Sequence, residues 1–267
     1  MIGLLAKPWD MTVASTSGAA FNSLYPATNA VNNDYGRVVR TVGLAAGNTS
    51  TIVFDLGTAR AVDCLALLWH NMVPGDSINW QASDTAAFTA VQYQSGNLGP
   101  ITGQTARDSM LLAKQLLTLA NPVTQRYWRV VLTTSGAKAS GIQFSRAFVG
   151  KSQQFIVGPQ KASLGAKDLN SSVTTETGET RSQEDSGLIR PVVSLSFSYN
   201  RMSEMEQLIG QYTLTLGVSK PALICTDLTT AFIQDNIAFG RLEKVVTMES
   251  DVYDVWSFEA VVTSLGI

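Results

Sequence analysis

The stretch Thr51-Ile52-Val53-Phe54-Asp55-Leu56-Gly57 decides the fold class of the first part of the chain. Every second residue in it, Ile52, Phe54 and Leu56, is large and apolar. Because successive side chains of a strand point to opposite faces, this period of two predicts a half-buried β-strand. The glycine that follows predicts a turn, so we expect the strand to end at Gly57.

The same alternation recurs along the first 155 residues. It covers residues 65–69, 78–82, 126–132 and 142–149. Several short strands separated by polar turns favour an antiparallel sandwich or jelly roll over a wound α/β sheet. Residues 109–119 fit a short helix and a bent strand equally well, and both alternatives stay open.

Four motifs occur in an order that points to a known family. They are Asn29-Ala30-Val31-Asn32-Asn33, the 51–57 stretch, Ile78-Asn79-Trp80-Gln81-Ala82-Ser83 and Arg126-Tyr127-Trp128-Arg129-Val130. In this order they resemble the discoidin, or galactose-binding-like, jelly roll. The resemblance implies a sandwich over residues 1–155. It also implies loops that in many members bind sugars or lipid head groups, sometimes beside a structural calcium ion. These loops carry neither a carboxylate cluster nor basic residues beside aromatic ones, so no ligand-binding residue is transferred.

The remaining residues, 156–267, have a different pattern. After Pro191, apolar residues at 193, 195, 197 and 199 alternate with serines, which predicts a strand with one wet face. Ser203 and Glu206 have the spacing of a capping box, and apolar residues at helical spacing follow, so we predict a helix near residues 204–216. Further strands are predicted around residues 219–225, 239–242 and 256–262.

This order of strand, capped helix and three strands, from about residue 190 to residue 262, resembles the β-barrel or sandwich of phage distal-tail and tail-hub proteins. The resemblance implies a homo-oligomeric ring, commonly hexameric, that joins the tail tube to the hub or fibres. It also implies a protein made in the host cytoplasm and located in the virion tail.

A long polar stretch, residues 161–189, connects the two patterns and contains few large apolar side chains. We expect a mobile surface loop, or an arm or hairpin that extends the sheet of a neighbouring subunit. In the second case the contact residues are the Thr-rich run Val173, Thr174, Thr175, Glu176, Thr177, Gly178, Glu179 and Thr180.

Charge composition limits the partners. Only 15% of the 267 residues are charged and the net charge is −2, with no basic stripe, so nucleic acid is not expected as a partner. So low a charge suits a subunit that buries its exterior, and equally a Ser/Thr-rich monomeric sandwich. The apolar run near the first residue is too short for a secretory core or a membrane span, so no membrane insertion is expected.

The residues offer little for catalysis. His70 is the only histidine and is expected to hydrogen-bond in a turn, and no Gly-x-Ser-x-Gly motif or phosphate-binding loop occurs. Cys64 and Cys225 lie in apolar runs and are expected to be free, inert core residues. We therefore expect no catalytic, cofactor-binding or metal-binding residue. Trp69, Trp80, Trp128 and Trp256 fall in alternating strands and are expected in the core, although a sugar-binding surface is the alternative. Trp9 is the exception, and is the one to test for exposure to a ligand.

These features predict a noncatalytic structural protein of a phage tail tip that assembles as a ring. The alternative is a carbohydrate-binding adhesin whose first domain contacts glycan on the host surface.

Overall fold

The computed structural model describes residues 3–33, 37–99, 113–155, 161–168, 189–200, 220–228, 237–243, 248–252 and 255–264. Within these ranges the chain is mainly β, as predicted. The only helix described there is a 3-10 turn, Ala27–Val31. The strands are β1 (Gly3–Pro8), β2 (Thr12–Gly18), β3 (Val39–Arg40), β4 (Thr49–His70), β5 (Ser77–Ser83), β6 (Tyr93–Gln94), β7 (Ala113–Thr133), β8 (Gln143–Phe144), β9 (Arg146–Phe155), β10 (Lys161–Asp168), β11 (Ile189–Asn200), β12 (Pro221–Cys225), β13 (Ile237–Leu242), β14 (Met248–Val252) and β15 (Val255–Ser264).

Antiparallel pairing joins thirteen of these strands into one sheet. Their order is β10-β11-β15-β13-β12-β1-β9-β4-β7-β5-β6, with β14 beside β15 and β2 beside β4. The two remaining strands, β3 and β8, form a separate small sheet.

The longest strand corrects one prediction. β4 does not end at Gly57 but continues to His70, and β7 pairs with it on both sides of the glycine. The pairing register shifts between Asp55 and Arg60, and Gly57 has a φ of 74°. A glycine accommodates this left-handed conformation without strain, so the chain forms a bulge and the strand resumes. The segment 109–119 fits both a helix and a strand in sequence, and from residue 113 onward it belongs to strand β7.

The larger core fills the space beneath β4, β5 and β7. Alternate residues of these strands, including Phe54, Trp80 and Trp128, are fully buried. They belong to one cluster with Phe144 of β8 and Ala30 of the 3-10 turn. This is the alternation expected of a sandwich layer, with one face against a second layer. Trp69 is also buried, so the prediction of a core position is confirmed for these three tryptophans.

The sheet continues across the predicted domain boundary at residues 155 and 156. β1 lies between β9 and β12, so a strand from the start of the chain pairs with one from each predicted domain. A second core cluster contains Leu4, Cys64 and Phe148 together with Leu223 and Phe239. The Phe148 and Phe239 rings meet edge to face, 5.7 Å apart. The division into two domains stays a prediction, and the packed core extends over both sides of it.

Part of the predicted polar arm is described. Lys161–Asp168 and Ile189–Asn200 pair antiparallel, from Lys161 with Ser196 to Asp168 with Ile189. The intervening residues, among them the predicted contact run 173–180, lie outside the described residues, as does the predicted helix near 204–216.

Candidate functional site

A small cleft beside Trp9 is the best candidate for a binding site. It has a volume of about 160 Å³. Its walls are Lys7, Pro8, Trp9, Asp10, Leu56, Arg60 and Lys220, and we call it the Trp9 cleft. A second depression of about 150 Å³ adjoins it and shares Pro8, Trp9, Asp10 and Lys220. Trp9 therefore forms part of the wall of two adjacent cavities.

Strand pairing and one side-chain hydrogen bond fix Trp9. The backbone amide of Trp9, just after β1, donates to the carbonyl of Val149 at 2.9 Å. Its indole Nε1–H donates to the carbonyl of Ala61, also at 2.9 Å. Because the polar end of the ring is bonded, the indole is held in place although Trp9 is only half-buried.

The bulge in β4 forms another part of the cleft wall. It lies between the two regions where β4 pairs with β7, and it includes Leu56 and Arg60. The backbone amide of Gly57 donates to Asp55 Oδ1 at 2.8 Å, a local turn that stabilises the bulge. The last wall residue, Lys220, directly precedes β12 and comes from the far end of the sequence.

Positive charge dominates this cleft. The ammonium nitrogen of Lys7 lies 4.8 Å from the centroid of the Trp9 ring, and the guanidinium carbon of Arg60 lies 5.2 Å from it. Both distances are typical of cation–π contacts. Lys220 Nζ lies 3.7 Å from Asp10 Oδ2, and this exposed ion pair contributes little to stability.

Burial distinguishes Lys7 from the other cations. Only 8% of its surface is exposed. Loss of hydrating water lowers the pKa of its ammonium group, and the nearby charges of Lys151, Arg60 and Lys220 lower it further. The cleft therefore offers a partly desolvated cation beside an aromatic ring.

A second, wider cavity of about 470 Å³ lies after β2, lined by Ser23, Leu24, Tyr25, Pro26, Asn29, Arg37 and Val38. Leu24 is 80% exposed, and the guanidinium of Arg40 stacks 4.6 Å from the Tyr25 ring. This wider cavity includes Asn29, which belongs to an early motif of the predicted jelly roll. The side-chain amide of Asn29 donates to the Val38 carbonyl at 2.8 Å. That amide is used internally, so it gives no sign of a vacant ligand position.

The sole histidine does not have the predicted environment. His70 is the last residue of β4 and is fully buried, and neither ring nitrogen has a hydrogen-bond partner among the described residues. Burial lowers its pKa to about 4, despite the opposing charge of Asp76. An imidazole this buried and this weakly basic is suited to packing.

Both cysteines are free and buried, as predicted. Burial raises the pKa of the Cys64 thiol well above its usual value and that of Cys225 to about 12, so neither forms a thiolate nucleophile. Across the described ranges, no three His, Cys, Asp or Glu side chains are grouped as a metal site would require. No helix in those ranges has the length and apolar character needed to cross a bilayer.

Sequence reasoning identified Trp9 but missed the rest of the cleft. Lys7 stands two residues from the tryptophan, a local signal that could have suggested a basic aromatic site. Arg60 and Lys220 give no such signal, because only strand pairing brings them to the same place. The predicted contact run 173–180 lies outside the described residues.

No family model and no curated protein matches the chain. Solved structures with a similar fold include the family 32 CBM from C. perfringens NanJ in complex with galactose, at 14% identity and a TM-score of 0.39 over 55% of this chain and 99% of that one. Chitosan-binding module 1 from a chitosanase/glucanase of Paenibacillus sp. IK-5 is 15% identical, with a TM-score of 0.37 over 54% of this chain and 98% of that one. The lectin-binding domain of lectinolysin, complexed with Lewis b, is 16% identical, with a TM-score of 0.37 over 52% of this chain and 92% of that one. Similarity of this extent assigns no ligand to this chain.

Proposed function

We propose that this protein is a noncatalytic carbohydrate-binding protein and that the Trp9 cleft holds the sugar. The observation that carries the proposal is a tryptophan fixed by its Ala61 hydrogen bond in the wall of a small cleft that also contains lysine and arginine donors. Small-ligand sites combine an apolar or aromatic surface with a few placed polar groups. A sugar presents both partners, C–H groups for the ring and hydroxyl oxygens for the cations.

The cleft size suits a small ligand. At about 160 Å³ it is smaller than the roughly 300–1,000 Å³ sites that enclose drug-sized molecules. One sugar unit at the end or side of a glycan is therefore the expected occupant. Binding of this kind requires no nucleophile or general base, in keeping with the inert environments of His70 and the two cysteines.

Titration of glycan oligosaccharides by calorimetry tests the proposal. The unmodified protein is expected to bind at least one class saturably, and Trp9→Ala to weaken that binding at least tenfold. Leu24→Ala is the control, because Leu24 is 80% exposed in the other cavity. A flat titration across neutral and acidic glycans, or equal affinity in the Trp9→Ala variant, would reject the assignment.

A second function is favoured by an open strand edge. β10, Lys161–Asp168, ends the sheet, and among the described residues it pairs with β11 alone. Unpaired amides and carbonyls at such an edge template pairing with another chain. This supports a structural subunit of a phage tail tip, assembled with sister copies as a ring, six-fold by preference, between the tail tube and the hub or fibres.

That second function predicts an oligomer. Light scattering of the purified chain should give a mass several times that of one subunit, stable on dilution, and negative-stain images should show rings. A monomer at micromolar concentration would contradict ring assembly by the chain alone and leave carbohydrate binding unaffected.

A further inference from the structure

Lys7 is a largely buried residue whose ammonium group has no counter-ion among the described residues. Its neighbours in β1 are core residues, and it is only 8% exposed. An ammonium group that loses part of its hydration favours an anionic partner, and Lys7 lies in the wall of the cleft, where a ligand can reach it. Among the described residues the Lys7 ammonium group has no hydrogen bond or ion pair, and it lies over the face of the Trp9 ring.

The surrounding charges increase this deficit. Lys151, Arg60 and Lys220 are the charged groups that act on Lys7, and all are positive. The one carboxylate in the cleft wall, Asp10, is 97% exposed and lies against Lys220 instead. Like charges brought together at a partly desolvated site are unfavourable unless an anion joins them.

Arg60, an exposed residue, adds a second cation to the cleft. Its guanidinium faces the Trp9 ring, and among the described residues it forms no salt bridge. The two cations thus have the same ring as their partner, at 4.8 Å and 5.2 Å, and both line the same 160 Å³ cleft. A planar, doubly donating guanidinium and a compact ammonium together suit a carboxylate or phosphate group.

We propose that the Trp9 cleft recognises an anionic sugar unit, with its carboxylate or phosphate oxygens bound by Lys7 Nζ and the Arg60 guanidinium. The proposal rests on carbohydrate binding at this cleft and specifies the class of carbohydrate. The anionic group supplies the counter-ion that Lys7 and Arg60 lack among the described residues, at the ring of Trp9 that both cations contact. Net charge gave no hint of this preference, because the chain as a whole carries −2.

The test compares two probes, a galacturonic acid trisaccharide and its methyl ester, in which each carboxylate is replaced by an uncharged and slightly larger group. The unmodified protein should bind the acid at least tenfold more tightly than the ester by calorimetry. Lys7→Met, which keeps the length of the side chain but removes the ammonium, should reduce the affinity for the acid to that for the ester. Lys151→Met is the matched control, since Lys151 lies opposite Lys7 in β9 but outside the cleft wall, and it should retain most of the preference.

A stability measurement separates loss of the site from loss of the fold. Without ligand, Lys7→Met is expected to raise the thermal midpoint, because it removes a buried charge that lacks a counter-ion. The unmodified protein should be stabilised by the acidic trisaccharide in proportion to its affinity, and the variant should not.

Each outcome decides between the claims. Equal affinity of the unmodified protein for acid and ester would overturn the anionic preference and leave carbohydrate binding standing. A preference that survives in Lys7→Met would overturn the role of Lys7. If no saccharide binds but an acidic peptide does, both proposals fail and the cleft is a protein contact. If inorganic phosphate displaces the acidic trisaccharide, the cleft recognises the anionic oxygens that carboxylate and phosphate share. If it does not, the cleft prefers a carboxylate to a phosphate.

Discussion

Lowering the pH from 7 to 5 is expected to destabilise the protein through a single side chain, His70. The imidazole is fully buried at the end of β4, with no hydrogen-bond partner for either nitrogen among the described residues. Burial disfavours its charged form and lowers its pKa from 6.5 to about 4. Between these two pH values the unfolded chain takes up a proton that the native state does not bind.

The size of the effect follows from the shift. The native pKa of His70 is depressed, so the stability that its neutral imidazole contributes is fully present above pH 6.5. This contribution decreases as the pH falls towards 4. The slope is about 1.4 kcal/mol per pH unit. The expected loss in the free energy of unfolding is about 2 kcal/mol between pH 7 and pH 5, and about 3 kcal/mol in full. Against a typical total of about 5–15 kcal/mol, this is a large fraction.

Urea denaturation at pH 7, 6 and 5 measures this loss, and His70→Leu is the control. The variant should lack this component of the pH dependence, because leucine does not titrate. Other groups contribute equally to both proteins. The hydrogen bond from Arg126 lowers the pKa of Asp55, so its contribution is lost only at more acid pH, and burial raises the pKa of Asp63, which acts in the opposite direction.

A second measurement does not depend on the variant folding. Because the chain has one histidine, its proton NMR spectrum contains one imidazole titration curve, expected with a midpoint near pH 4 in the folded state. A midpoint near 6.5, or parallel pH dependence of stability in the unmodified protein and the variant, would refute the reasoning.

Three further predictions concern the core. Gly150→Ala should cost about 2 kcal/mol, because the added methyl group would collide with the backbone carbonyl of Lys7, whereas Gly136→Ala, in open space, should be neutral in the same urea titration. Cys64 and Cys225 should react with a thiol reagent only after unfolding, since burial raises the pKa of both thiols. Asp76→Ala should lower the free energy of unfolding by about 3 kcal/mol, because it removes a buried carboxylate that pairs with the half-buried Lys138 ammonium at 3.0 Å and accepts from the backbone amides of Val73 and Ser135.

Local pattern was a reliable guide to strand faces and a poor guide to strand ends. The alternation at residues 52, 54 and 56 predicted which side chains enter the core, and they do. It also predicted a half-buried strand, which is wrong, because Thr51 and Val53 on the other face are buried as well. Gly57 signalled a stop, yet the strand continues because β7 supplies partners on both sides of the bulge. A turn signal acts over a few residues, and here pairing over about 22 residues outweighs it.

The candidate site was likewise only partly predictable from the sequence. Trp9 stands outside the alternating strands, and the sequence alone shows this. That Lys7 is buried could not be inferred from its neighbours, because burial depends on β1 lying between β9 and β12. Arg60 and Lys220 line the same cleft, but they are so far apart in sequence that the sequence alone does not predict this.

By itself, then, the sequence determined the mainly β character, the buried tryptophans and the presence of one histidine, because alternation and composition are local properties. Only the tertiary structure decided that the first strand joins both parts of the chain, that His70 is buried without a hydrogen-bond partner among the described residues, and that cations distant in sequence surround Trp9. These features depend on which strands pair, and pairing is selected by the free energy of the whole packed sheet.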